Sequence, residues 1–378
     1  ELIPDEINEV TTTKENLVEM SVEKPEIVFN EAHHKMLEKE KANFAKIKSD
    51  DMVVVIRTTP IKIVVPRDYP TIWEALNNTI PGDIVKVRPG NYTEHIHAYT
   101  DNVKIIAADG VYLNGEFCVY ANNVTISGFN IETNSNGIYF PGSSNDRSKT
   151  EDLPNNNSIE VSGNTIITPH TGIYLDYPSN SLISNNTIKT PATGIFLYQS
   201  TNTNVISNNI TSGNYSIYDY YSSSIKVSNN KLVGMEGVLP VKPAKLNNAE
   251  KANPSQGAYK GIYSYYGSNS SYQYNSCTGF QYGVNIQFGF NNLIKRNNTY
   301  KNIEGINIYH GGDHNVISNQ SLNNINYGIR LYRSNNNTVK RNIAYFNGEC
   351  SISSYDGYNN NYISNYTDSE CINDDMEF

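Results

Sequence analysis

Aromatic residues recur down this chain at a spacing that can do chemistry. Tyr174, Phe196, Tyr218 and Tyr263 share one phase of a repeat. Asp176, Tyr198, Tyr220, Tyr265, Tyr309 and Tyr332 share a second phase two residues later. Rigid rings beside carboxylate and amide groups stack on sugar rings and hydrogen-bond their hydroxyls with little ordering entropy, which makes these residues the candidate glycan-binding set. The same pattern also fits cross-strand stacking that only stabilises a sheet, at about 0.2–1 kcal/mol per pair. It fits a protein interface as well, where tyrosine is enriched.

Other reactive types are scattered. Asp219 falls at an apolar phase of the repeat, where a carboxylate needs a partner or a raised pKa. A slip of register is favoured there because a longer interval follows. His170, Tyr174 and Asp176 are close enough in sequence for acid–base work, but a turn histidine and a solvated aspartate account for them more simply. His310, Asp313 and His314 bracket a Gly-Gly-Asp turn and resemble a metal loop only superficially. No CxxC, HExxH or paired-histidine spacing is present, so no metal centre, cofactor or catalytic residue is assigned. Cys350 and Cys371 lie about one repeat apart, which suits either a disulfide between neighbouring coils or two buried thiols. Cys118 and Cys277 are far apart in sequence.

The elements that would hold these residues follow from the repeat itself. Gly-Ile or Gly-Val recurs at Gly172, Gly194, Gly261, Gly283, Gly305 and Gly328, with Ser216 in the same series; the spacings are 22, 22, 45, 22, 22 and 23. Asparagines keep the same step through Asn164, Asn186, Asn209 and Asn230, then Asn275, Asn297, Asn319, Asn342 and Asn365. A period of this size signals a solenoid, whose units bury apolar surface only by stacking. Within one period, Ile195–Leu197, Val205-Ile206 and Ile210 are short β-branched runs between Asn, Ser, Thr and Gly, which read as three strands. A leucine-rich repeat would need a leucine framework and a helical segment. The prediction is therefore a parallel β-helix of about ten rungs, its asparagines placed at tight turns and stacked in columns. With the Ile after each Gly inward, Phe140, Leu175, Leu197, Ile286, Ile308 and Leu331 are also inward, and both aromatic phases face outward.

A net charge of −9 with no basic stripe argues against nucleic acid. No apolar stretch is long enough to span a bilayer. The chain begins with Glu1 rather than Met, which reads as a removed leader or tag. Twelve N-x-S/T sequons run from Asn77 to Asn365, close to what so Asn-, Ser- and Thr-rich a chain gives by chance.

Three zones are expected. Residues 1–30 read as an extended acidic arm able to reach a second copy in a homo-oligomer or filament. Residues 31–65, an amphipathic helix followed by β-like runs at Met52–Ile56 and Ile61–Val65, read as a small α/β cap over the first rung, which must be shielded. Residues 66–378 form the solenoid. Polar insertions at about 142–157 and 234–256 are expected to wall a groove over the aromatic columns.

The stretch IVVPRDYPTIWEALNNTIPGDIVKVRPGNYTEHI, from Ile63 to Ile96, resembles the opening module of pectin-lyase-like β-helices: a strand, a short helix (Thr71 to Asn78), Pro-Gly-Asp, a strand and a Pro-Gly-x-Tyr-x-Glu turn (Pro89, Gly90, Tyr92, Glu94). Pectin methylesterases, NosD-like copper-maturation proteins and carbohydrate-binding and sugar-hydrolysis β-helices share it. The resemblance implies an all-β, right-handed parallel β-helix over most of residues 61–370 and says little about activity. The aspartate, Gly-His-Gly and Arg-Ile-Lys signatures of its esterases and polygalacturonases are missing, as is the Tyr-Gly-x-Asp-Pro-His-Asp string of alginate epimerases. The expectation is a secreted or cell-surface protein that binds a polysaccharide or cell-surface glycan without catalysis, in adhesion or as part of a surface assembly. The alternative is a polysaccharide lyase, hydrolase or epimerase.

Overall fold

A computed structural model describes residues 57–141, 157–235 and 260–373. The expected arm, the cap as far as residue 56 and nearly all of both insertions lie outside the described residues. Apart from the short helix Ile72–Asn77, the regular structure of the described residues is strand. Thirteen parallel strands form one face, from Lys62–Val65 to Asn361–Ile363, and the remaining strands stack in parallel on the other faces. The ladder is longer than the ten rungs expected because its first coils, before Gly137, lack the Gly-Ile mark.

The strand Lys62–Val65 pairs in parallel with Ile84–Val87. It is the first rung of the ladder, which corrects the expectation that it belongs to a cap lying over that rung. Its alternation buries Ile63 and Val65 in the common core. The helix Ile72–Asn77 packs at this end of the described solenoid, where its Ile72, Ala75 and Leu76 join that core. Thr71 caps this helix by accepting from Glu74 N, and the Glu94 carboxylate accepts from Ile72 N and Trp73 N at 3.1 and 2.9 Å. Tyr92 OH donates to Arg88 O. The Pro-Gly-x-Tyr-x-Glu turn is thus an anion placed at a helix N-terminus, a structural device rather than a catalytic one.

The Gly-Ile mark also has a steric cause. A Cβ on Gly194 would lie 2.6 Å from Ser216 O, and one on Gly261 would lie 2.5 Å from Gly283 O. The backbone of the next coil passes where a side chain would stand. The following Ile or Val turns inward and is fully buried at Ile173, Ile195, Ile217, Ile262, Val284, Ile306 and Ile329. The 45-residue interval is a single coil carrying an insertion, since Tyr218 pairs directly with Tyr263.

The asparagine ladder differs from the expected one at one rung. Asn208, not Asn209, continues it: Asn186 N and Nδ2 both donate to Asn208 Oδ1, and Asn208 Nδ2 donates to Ile183 O. Asn209 lies exposed at the start of the next strand. The left-handed turn also belongs to the residue before each ladder asparagine, as at Asn185 (φ 56°), Ser207 (58°), Asn229 (57°) and Arg296 (53°). In the pairs Asn185-Asn186 and Asn229-Asn230 the first asparagine takes the turn and the second carries the ladder, whereas in Asn208-Asn209 the turn falls on Ser207 and the first asparagine carries it.

Candidate functional site

The outer sheet that bears the candidate residues is built from Ile173–Asp176, Ile195–Tyr198, Tyr215–Tyr220, Lys260–Tyr265, Tyr282–Gln287, Glu304–Gly312, Tyr327–Asn335 and Cys350–Tyr355. Parallel register puts Tyr174, Phe196, Tyr218, Tyr263, Asn285, Asn307 and Arg330 in one column. Asp176, Tyr198, Tyr220, Tyr265, Gln287, Tyr309 and Tyr332 form a second column on the same strands. A third column holds Tyr215, Lys260, Tyr282, Glu304 and Tyr327.

The first column forms an apolar cluster separate from the interior core, but it is not an open face. Tyr174 and Phe196 are 0% exposed, Tyr218 1% and Tyr263 3%. Rings in this column lie against one another, with centroids 4.9 Å apart for Tyr174 and Phe196 and 4.8 Å for Tyr218 and Tyr263. Asp176 and Tyr265 are buried as well. In the second column Tyr198, Tyr220 and Tyr265 stack nearly parallel at 5.4 and 5.5 Å. Tyr309 and Tyr332 stack at 5.3 Å. Rings stacked along the solenoid axis give their faces to each other and present only edges and hydroxyls sideways. A free platform for sugar stacking along Tyr174–Tyr265 is thereby corrected to a self-stacked ladder, each pair adding about 0.5–1.5 kcal/mol beyond burial.

A second ladder was not foreseen. Tyr221, Tyr266, Phe288 and His310, all at left-handed φ of 46–55°, stack over four coils at 4.6, 5.1 and 5.3 Å. They lie beyond the last residue read in each outward strand, so the alternation argument stopped one position short of them.

Past Tyr263 the outer face turns polar. Glu304 is 5% exposed; its Oε1 accepts from Arg330 Nη1 at 3.1 Å and its Oε2 from Asn307 Nδ2 at 2.6 Å. Burial raises the Glu304 pKa, opposed by the Arg330 charge and the Asn307 bond. The Arg330 guanidinium lies over Tyr327, 4.6 Å from its centroid. Asn285 is 1% exposed, and neither Nδ2 nor Oδ1 has a hydrogen-bond partner. Tyr263 OH donates to Gln287 Oε1. Lys260 is 4% exposed, with Nζ 3.2 Å from the Tyr263 ring centroid, and burial lowers its pKa to about 7. Lys260 and Glu304 escaped the sequence reading because they precede the marker glycine; the same 22-residue step taken one residue earlier finds both.

The remaining singled-out groups are structural. Asp219 sits in register between Leu197 and Ser264, so no slip occurs there. It is fully buried, its Oδ2 accepts from Tyr272 OH at 2.7 Å and Ser264 Oγ at 3.1 Å, and burial raises its pKa. Small and hydroxylated neighbours make room for a carboxyl where other coils place leucine or isoleucine. His314 takes an asparagine's place in a side ladder: its Nδ1 accepts from Asn292 N and its own N donates to Asn337 Oδ1, with a pKa lowered by burial to about 4. His310 belongs to the aromatic stack, and the His170 N–H donates to Thr168 Oγ1 in a turn. Cys350 and Cys371 form a disulfide, while Cys118 and Cys277 are buried free thiols. No helix among the described residues is long and apolar enough to cross a membrane.

Two family models match the chain. One, described as periplasmic copper-binding protein (NosD), covers residues 76–240, and one described as right handed beta helix region covers residues 245–373. No curated protein matches. Similar solved structures include the periplasmic alginate epimerase AlgG, at 13% identity and TM-score 0.48 over 84% of each chain. Another is the catalytic unit of a GH87 alpha-1,3-glucanase from Streptomyces thermodiastaticus, at 13% identity and TM-score 0.49 over 79% of this chain and 65% of that one. A third is the AlgE6 A-module, a mannuronan C-5 epimerase of Azotobacter vinelandii, at 13% identity and TM-score 0.40 over 81% and 93%.

Among the described residues no group of three or more His, Cys, Asp or Glu converges. Within the first matched region, burial pushes the Cys118 thiol well up. What the coil geometry and both matches share is the fold: the chain is a right-handed parallel β-helix of the pectin-lyase-like superfamily.

Proposed function

We propose that this protein binds a polysaccharide, without cleaving it, on the outer face between Lys260 and Tyr332. The observation that carries this is the break in the aromatic columns. Tyr263 gives way to Asn285, Asn307 and Arg330, and Tyr265 to Gln287, so the half-buried Gln287, Tyr309 and Arg330 present polar groups on three successive coils, backed by the buried Asn285, Asn307 and Glu304. Coils about 4.8 Å apart repeat these groups along a line, which suits a chain-like ligand better than a compact one. Adhesion, or a place in a surface assembly, would follow from such binding.

An extracytoplasmic setting, secreted or on a cell surface, goes with this reading. The Cys350–Cys371 disulfide needs an oxidising compartment, and the NosD family and AlgG are both described as periplasmic. Self-association through residues 1–30 is a separate proposal; a chain lacking them should sediment as a smaller species than the full one.

Catalysis on a polysaccharide is the second reading, favoured by Lys260, whose amine near pH 7 is in the range of a general base. Against it, among the described residues of that face Glu304 is the one buried carboxylate, where glycoside hydrolysis ordinarily uses two. A glycan array run with reducing-end and unsaturated-product assays decides. Retention of a polymer without product supports binding, product formation transfers the assignment to the enzyme, and no retention with no product refutes both.

A further inference from the structure

The turn that carries the asparagine ladder holds a charged stretch. On successive coils its left-handed position is taken by Tyr274, Arg296, Ser318, Arg341 and Ser364, each directly before a ladder asparagine. The strand residue before that position runs Gln273, Lys295, Ile317, Lys340 and Ile363 in parallel register. A doubly basic coil therefore alternates with a neutral one: Lys295-Arg296, then Ile317-Ser318, then Lys340-Arg341. In sequence these are two isolated dipeptides, and only stacking sets them on one edge.

Arg296 and Arg341 are exposed, with Lys295 and Lys340 half-buried beside them. Among the described residues no carboxylate forms an ion pair with any of the four. Tyr274 holds Arg296 in place: Nη1 donates to its hydroxyl at 2.6 Å, and Cζ lies 5.5 Å from the ring centroid, so a ligand meets a guanidinium already ordered. The ladder fixes the step between the pairs, since Asn297 N and Nδ2 donate to Asn319 Oδ1, and those of Asn319 to Asn342 Oδ1. Coils about 4.8 Å apart set the two pairs about 10 Å apart. One coil step is close to the length of one sugar in an extended hexose chain, so the pairs meet every second sugar.

A nucleic acid matches this edge poorly. A duplex carries a charge about every 1.7 Å of its axis, and the phosphates between the two pairs would lie against Ile317 with no cation to meet them. The net charge of −9 does not oppose a ligand here, because at physiological salt charges more than about 8 Å away are largely screened. We propose that this edge binds a linear polysaccharide in which an acidic sugar alternates with a neutral one. It lies on the thirteen-strand sheet and its turn, apart from the outer face between Lys260 and Tyr332.

The test is affinity electrophoresis of the full chain at physiological salt. Hyaluronan carries a carboxylate on every second sugar, polygalacturonate on every sugar and dextran on none; a single-stranded oligonucleotide serves as competitor. The expected result is retention by hyaluronan above the other two, weakened tenfold or more by Lys340→Gln with Arg341→Gln. Adding Ile317→Lys and Ser318→Arg to that variant moves the second pair by one coil, and should turn the preference to polygalacturonate. Circular dichroism confirms the fold of both variants, and if the four-fold variant does not fold the charge-removal variant decides. Equal or stronger retention by polygalacturonate in the unaltered chain overturns the spacing argument, and displacement of hyaluronan by the oligonucleotide overturns the assignment to a sugar. Hyaluronan retention unchanged by Lys340→Gln with Arg341→Gln overturns this edge while leaving the outer face as the glycan site, so the two readings fail separately.

Discussion

Replacing Lys260 by Met should reveal a buried cationic site through the pH dependence of stability. In the folded chain the amine titrates at about 7, against 10.5 for the ordinary group, because burial disfavours its charge. Between those values the unfolded chain binds a proton that the folded chain has shed, so stability rises with pH across the window. Below about 7 both states carry the charge, and the folded state bears the full penalty. At about 1.4 kcal/mol per pH unit, the penalty is on the order of 4 kcal/mol at pH 7 and about 2 kcal/mol at pH 9. The thioether of Met fills the same channel against Tyr263 without that penalty. Urea unfolding followed by far-UV circular dichroism at pH 7 and pH 9 should show the variant more stable at pH 7, with its advantage shrinking by about 2 kcal/mol at pH 9. The raised pKa values of buried groups such as Tyr218 and Cys277 act on both proteins and cancel in the difference. An advantage that does not change with pH, or a variant less stable at pH 7, would refute the argument.

Three further outcomes are expected. Asp219 has a folded pKa above its ordinary value, so its burial costs stability as pH rises past that value and costs nothing in acid; Asp219→Asn should stabilise the chain at pH 7 and leave its urea midpoint at pH 3 nearly unchanged. Asn208→Ala should lower stability by about 1–3 kcal/mol by leaving the amides of Asn186 without their acceptor, whereas Asn209→Ala should stay within about 0.5 kcal/mol; equal effects would place the ladder wrongly. Opening the Cys350–Cys371 link with reductant, or by Cys371→Ser, should lower the thermal transition, with about 3 kcal/mol expected for a closed loop of this size.

The repeat made the fold legible, because each coil obeys the same steric demands. Gly194 must be small where the next backbone passes, and Ile195 must fill the lumen. The register of the outward columns followed from strand alternation alone. Solvent exposure did not follow, because whether Tyr174 or Tyr218 is open depends on what lies over the sheet, and period-two alternation is silent about that. Asp219 misled for a related reason. Its hydrogen-bonding partners Ser264 and Tyr272 come from later strands, 45 and 53 residues away, so a carboxyl that is accommodated in three dimensions looked like an error of register. Asn208 and Asn209 could not be told apart by residue type, only by which of them follows the left-handed turn at Ser207.

The strands Tyr215–Tyr220 and Lys260–Tyr265 meet in register although a long segment of chain leaves and returns between them. Since the cost of closing a loop grows only with the logarithm of its length, this corner is a natural docking port for foreign sequence. A tag, an epitope or a small folded domain spliced between residues 235 and 260 would leave the flanking coils with the same neighbours. Its attachment points are the two sides of one corner of a single coil, where Gly234 lies opposite Ser212 and Lys260 opposite Tyr215. The solenoid could therefore serve as a rod that displays cargo at a known height along its length.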